Sequence, residues 1–192
     1  MNMKKVYKMK KIILLLFISL YSVFIMKSQN VYLINPSENI GTNNWNIVND
    51  DVMGGISNSE ILINDKDNLV FQGYLSLENN GGFASSRLDI SDENIEGVKY
   101  FEIKLKGDGN NYKLRLRQNN RRASYSCDFQ SKKDEWIVVN LPIEKFRPTW
   151  RGYNFSNYPD LELESVNSLS LHISDKQEGK FVLEIEYVKA KE

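Results

Sequence analysis

Apolar and polar residues alternate with period two along most of this chain, and that pattern leaves little room for anything but β-structure. In "NYKLRLRQ" (111–118), Tyr112, Leu114 and Leu116 fall on one face and Lys113, Arg115 and Arg117 on the other. "VKYFEIKLKG" (98–107) groups Phe101, Ile103 and Leu105 in the same way. Comparable runs occupy 56–64, 68–77, 82–90, 135–142, 168–174 and 179–188, and "ASYSCDFQ" supplies another. "GDGNN" (107–111) separates two of these runs and predicts a hairpin, because glycine and asparagine tolerate positive φ. Helix is confined to one turn at "IEKF" (143–146), before Pro148. Many short strands with turns between them predict an all-β, two-sheet sandwich of the jelly-roll kind.

The first 28 residues stand apart from this pattern. Lysines 4, 5, 8, 10 and 11 precede an apolar run from Ile12 to Met26. That run suits a signal-peptide core and is short for a membrane span, which needs about 20 residues. Residues 1–28 therefore read as a signal peptide or, if uncleaved, a signal anchor. Residues 29–192 read as one sandwich domain. The expected location is periplasmic, secreted or membrane-anchored, with membrane contact only through an uncleaved leader. The whole chain has 25 basic and 25 acidic side chains. Six lysines and no acid lie in residues 1–27, so the rest is net acidic. An acidic domain excludes nucleic acid as a natural partner, since phosphate contacts need a basic face.

Catalytic and metal chemistry find few residues to use. Cys127 is the one cysteine and shares the apolar phase of Tyr125 and Phe129, which places it in the core. His172 is the one histidine, and its polar phase in "SLSLHISD" predicts a solvated side chain. One histidine and one cysteine cannot build the usual zinc sites, and no nucleophile-elbow pattern accompanies His172. No metal, cofactor or catalytic residue is expected.

Two glycine-rich blocks carry the densest polar signal: "NDDVMGGISNSE" (49–60) and "LENNGGFASSR" (77–87). Gly54, Gly55, Gly81 and Gly82 permit tight turns, and Asn79 and Asn80 accept positive φ. Arg87 shares the phase of Phe83, so it is expected to be partly buried and to need an acid. Asp50 or Asp51 is the expected partner, in a fork joining the two blocks. Met53, Asn80, Trp150 and Arg151 are expected at the rim of that surface, available to a partner. Lys113, Arg115 and Arg117 form a second polar face. Glu102 and Lys104 precede them in the chain and Ser124, Ser126 and Asp128 follow, and the three sets make one sheet face if their strands are neighbours.

The two blocks, with "LKGDGNNYKLRLR", "EWIVVNLPIEKFRPTWRG" and "LSLHISDKQEGKFVLEIEYV", resemble the complex I intermediate-associated protein 30 family in order and spacing, from about Trp45 to Ala190. The resemblance implies a galactose-binding-type sandwich without catalysis. Mitochondrial members of the family are assembly chaperones of respiratory complex I. An exported relative lies on the wrong side of a bacterial membrane for the NADH-oxidising arm. The expected function is therefore an assembly-factor-like domain that binds an envelope protein. A glycan-binding module is the alternative, for which Trp45, Trp136, Trp150, Tyr153 and Tyr158 supply candidate aromatic platforms.

Overall fold

A computed structural model describes residues 30–119 and 121–192; the leader lies outside them. Thirteen strands follow one another: β1 (Val31–Ile34), β2 (Trp45–Ile47), β3 (Asn58–Ile63), β4 (Leu69–Leu75), β5 (Ala84–Asp89), β6 (Tyr100–Gly107), β7 (Asn111–Gln118), β8 (Ser124–Gln130), β9 (Trp136–Pro142), β10 (Arg147–Trp150), β11 (Tyr153–Asn154), β12 (Val166–Ile173) and β13 (Gly179–Lys191). One sheet runs β3-β4-β13-β6-β9, with β1 extending the β4 edge of β13. The other runs β11-β10-β8-β7-β12-β5-β2. All named strand pairs are antiparallel. This is the expected jelly-roll sandwich.

The period-two pattern sets which side chains close the core. Phe101, Ile103 and Leu105 from β6 face Tyr112, Leu114 and Leu116 from β7, all fully buried. Leu169, Leu171 and Ile173 of β12 and Leu183 and Ile185 of β13 complete the same layer. Each such side chain contributes about 1.5–3 kcal/mol on burial. In β13 the apolar phase changes from odd positions (Leu183, Ile185) to even ones (Val188, Ala190). A register shift between Ile185 and Tyr187 absorbs the extra residue, so both halves face the core.

The "GDGNN" segment is not a hairpin. It carries the chain from β6 in the first sheet to β7 in the second. The Asp108 carboxylate accepts hydrogen bonds from the amides of Asn110 (2.9 Å) and Val182 (2.9 Å) and from the Tyr112 hydroxyl (3.0 Å). These pin the crossing to β13. The same turn chemistry serves a hairpin and a sheet-to-sheet corner, which is why the motif alone misassigns it. As a consequence, Glu102 and Lys104 lie on the outer face of the first sheet, opposite Lys113, Arg115 and Arg117. Of those sets, only Ser124, Ser126 and Asp128, on β8, lie beside β7 on the second. The expected turn at 143–146 is a 3-10 helix at Ile143–Lys145.

Candidate functional site

The two glycine-rich blocks meet around one carboxylate. Asp50 opens a 3-10 turn (Asp50–Met53) and is fully buried, whereas Asp51 is exposed. Asp50 Oδ1 accepts the Ser57 amide at 2.9 Å. Its Oδ2 accepts the Ser57 hydroxyl at 2.6 Å, the Gly82 amide at 2.6 Å and the Phe83 amide at 3.2 Å. Burial pushes the Asp50 pKa up; the hydrogen bonds from Ser57, Gly82 and Phe83 outweigh it and leave it below the ordinary carboxylate value. Ser57 passes the connection on, since its Oγ accepts the Ser76 amide at 2.9 Å. Asn49 makes a parallel tie, accepting from Ser59 Oγ (2.7 Å) and from the Ser85 amide (3.2 Å).

The glycines divide into two roles. Gly54 (φ +91°) and Gly82 (φ +123°) take backbone conformations that a side chain resists. Gly55 and Gly81 instead make room for the carboxylate. A Cβ on Gly55 would lie 2.3 Å from Asp50 Oδ1, and one on Gly81 would lie 2.6 Å from Oδ2. Arg87 has no part in this lock. Among the described residues it forms no ion pair with Asp50 or Asp51, and its Nε is buried without a partner. Phase along the strand explains the difference: Arg87 pairs across to Asn46 and Ser170 and stands on the outer sheet face, while Asp50 is satisfied by backbone amides where β5 begins.

The lock holds out an apolar ridge. Val52, Met53 and Ile56 are 68%, 54% and 51% exposed. Asn80 is exposed on the neighbouring loop. Trp150 and Arg151 do not join this rim. They lie at the end of β10, four strands from β5, about 19 Å away across the sheet, and toward its other end. The Trp150 ring is half-buried, with Arg122 at 4.6 Å and Arg151 at 4.7 Å from its centroid.

The outer face of the second sheet is the other polar feature. One row across it reads Asn46, Arg87, Ser170, Arg115, Ser126 and Arg147. The next reads Asp89, Ser168, Arg117, Ser124 and Thr149. Small serines beneath long guanidiniums explain why Ser126, Ser168 and Ser170 are buried on an outer face. His172 is buried too, contrary to its expected solvation. It stacks on Phe83 (ring centroids 5.6 Å apart), and its Nδ1 lies 3.4 Å from Arg115 Nη1. Burial, then the charges of Arg115 and Lys113, hold its pKa well below the usual histidine value, so it is neutral at pH 7. Arg115 is itself pushed down to about 10, first by burial and then by Arg87 and Arg117.

Of the proposed aromatic platforms, Trp45 donates its Nε1–H to Gly41 O at 2.9 Å and packs on the core. Tyr158 accepts the Ala123 amide through its hydroxyl oxygen and stacks on Phe155. Trp136 lies under Lys104 and Lys106 on the first sheet, and Tyr153 is 75% exposed at the second sheet's edge. Ser57 and Ser76 escape sequence reasoning. Serines in a β-rich polar loop carry no signal of their own, and only the Asp50–Gly55–Ser57 spacing hints at them.

The sequence model described as complex I intermediate-associated protein 30 (CIA30) matches residues 34–185. The chain belongs to the CIA30 family. It is 28% identical to the uncharacterized protein C9E9.15 of Schizosaccharomyces pombe, over 82% of each chain. Among solved structures, this CIA30 domain is similar to the family 11 carbohydrate-binding module of the cellulosomal cellulase Lic26A-Cel5E of Clostridium thermocellum. The TM-score is 0.63 at 14% identity, covering 86% of this chain and 96% of that one. A family 29 carbohydrate-binding module matches at TM-score 0.53 and 7% identity, covering 86% of this chain and 92% of that one. At these identities the likeness establishes the fold, and the CIA30 domain shares its sandwich with binding modules.

Proposed function

We propose that this CIA30 domain is non-catalytic, is exported from the cytoplasm, and acts like an assembly factor by holding a protein partner in the cell envelope. The observation that carries the reading is the ridge of Val52, Met53 and Ile56, each more than half exposed on a loop fixed by Asp50. Large apolar side chains held out on a fixed loop are ready to bury without the entropy loss of ordering a mobile one. Two side chains argue against catalysis. Cys127 is buried with its thiol pushed up to about 11 by burial, and His172 is buried and neutral. Family membership supports a role in assembly, and the lysine-rich apolar leader supports export.

The test is capture from native envelope with a photo-crosslinker at residue 53, followed by fractionation of the cells. The expected result is a discrete protein adduct in the envelope fraction. Val52→Asp or Ile56→Asp should abolish it while leaving Tm unchanged, because exposed positions tolerate substitution. A chain retained in the cytoplasm, or an adduct indifferent to both substitutions, would refute the reading.

Glycan binding is the second reading, favoured by the similarity to carbohydrate-binding modules and by the exposed Tyr153 and Trp136. Binding of a neutral β-glucan that is lost in Tyr153→Ala would establish it.

A further inference from the structure

The two outer faces of the sandwich treat their charges differently. The first sheet carries three ion pairs, Lys104–Glu186 at 2.7 Å, Lys106–Glu184 at 2.6 Å and Lys191–Glu102 at 3.1 Å, and its Lys189 lies over the Tyr32 and Tyr187 rings. On the second, Lys113 is neutralised by Asp128 (2.9 Å) and Asp175 (2.7 Å). Beside it Arg87, Arg115 and Arg117 form no ion pair among the described residues. Arg87 and Arg115 stand on either side of Ser170, two strands apart, and Arg117 is the next outward position along β7. Guanidiniums this close repel one another; the lowered pKa values of Arg87 and Arg115 both include that repulsion. Two buried polar atoms in the same row, Arg87 Nε and Ser126 Oγ, have no hydrogen-bond partner. A folded domain that assembles three uncompensated cations and leaves buried donors unused has the complement of an anion built into it.

We propose that this face binds clustered carboxylates, and that its occupant is an extended Asp/Glu-rich segment of the protein partner. The proposal rests on the protein-partner reading above. Charge complementarity selects the anion, because planar guanidiniums accept carboxylates in two-point contacts. The lining selects a peptide over a sugar. Both arginine rows are built from arginine, serine, asparagine, threonine and one aspartate, with no aromatic ring for a sugar to stack on. Of the rings beside these rows, Phe83 is stacked on the buried His172, and Trp150 is taken up by Arg122 and Arg151. The serine floor lets an extended chain approach closely between Arg87 and Arg115, with carboxylates reaching either side.

The test titrates the purified full chain with a fluorescent oligo-glutamate peptide, with oligo-lysine and polygalacturonate as the other arms. The expected result is binding of oligo-glutamate alone, weakening steeply with added salt. Arg115→Gln and Arg117→Gln should each weaken it about tenfold or more, the loss of one charge-assisted contact. Lys104→Gln, on the opposite sheet, should leave it unchanged. Relief of like-charge repulsion predicts that both arginine variants melt no lower than wild type, so weakened binding cannot be a folding defect. No oligo-glutamate binding, or binding indifferent to Arg115→Gln and Arg117→Gln, would overturn the proposal. Arginine-dependent binding of polygalacturonate alone would overturn the peptide and assign the face to an acidic glycan. The protein-partner reading fails separately: if crosslinking at residue 53 captures no envelope protein, that reading falls whatever the peptide does.

Discussion

Replacing Asp50 by Asn removes one negative charge and changes almost no volume, so it isolates what the buried carboxylate contributes. Three donors converge on Oδ2 and one on Oδ1. The best orientation of the amide places its oxygen at Oδ2 and its NH2 at Oδ1. The three bonds to Oδ2 survive but become neutral, each losing about 1 kcal/mol. The Ser57 amide then faces an NH2 group, and its buried N–H loses its acceptor at about 1–3 kcal/mol. The total is about 4–6 kcal/mol, or about 15 °C in Tm for a domain of this size. Asp51→Asn, one residue away and exposed, should change Tm by less than about 2 °C. Differential scanning calorimetry at pH 7 checks both. The pH dependence has a defined sign. The Asp50 pKa is lower folded than its ordinary value of 3.8, so its contribution is complete above that value and is lost as pH falls through the folded one. Below about pH 4 the wild type should therefore lose stability more steeply than Asp50→Asn. A Tm for Asp50→Asn within about 3 °C of wild type would refute the lock.

Three further outcomes follow from the same geometry. Gly55→Ala should lose about 2–3 kcal/mol in urea unfolding by pushing a methyl group into the Asp50 carboxylate, and its effect should not add to that of Asp50→Asn. Arg87→Ala and Asp50→Asn share no partner, so their double-mutant cycle should close to within about 0.5 kcal/mol; coupling above 1 kcal/mol would restore the link that the structure lacks. Glu184 accepts from Lys106 Nζ at 2.6 Å and from the amide groups of Asn64 and Asn68, each at 2.8 Å. Glu184→Gln should cost about 3 kcal/mol, and chemical denaturation at pH 7 measures it.

The strands were legible because each side of a sandwich strand meets a different solvent, and the sequence must follow. Tyr112, Leu114 and Leu116 could be assigned to the core from spacing alone. Strands β1, β2, β10 and β11 were not legible, because two to four residues cannot display a period. The order of strands in the sheets was not legible either, since "GDGNN" serves a corner as well as a hairpin. The glycine blocks read from sequence as polar loops with tight turns, which the structure has, but the sequence matches the acid at their centre to the wrong donor. Side-chain reasoning looks for a guanidinium opposite a buried carboxylate. Asp50 is satisfied by two backbone amides of the other block and by Ser57, and backbone donors are invisible in a sequence. His172 shows a related limit: the polar phase of a strand names a face, and long neighbouring arginines decide whether that face is wet.

Strand β13 has a consequence for the order in which this chain becomes a protein. It is the spine of the first sheet, pairing with β6 along one edge and with β4 and then β1 along the other. Val31 and Ala190, nearly the whole described length apart, are direct neighbours. Until residues 179–191 have been synthesised, β4 and β6 have no strand between them, and half the sandwich has no middle. A growing chain therefore stays uncommitted, its loops unclosed, until almost all of it is made. Such a delay fits the export proposed for this chain, since a polypeptide threaded through a narrow pore must cross before it folds.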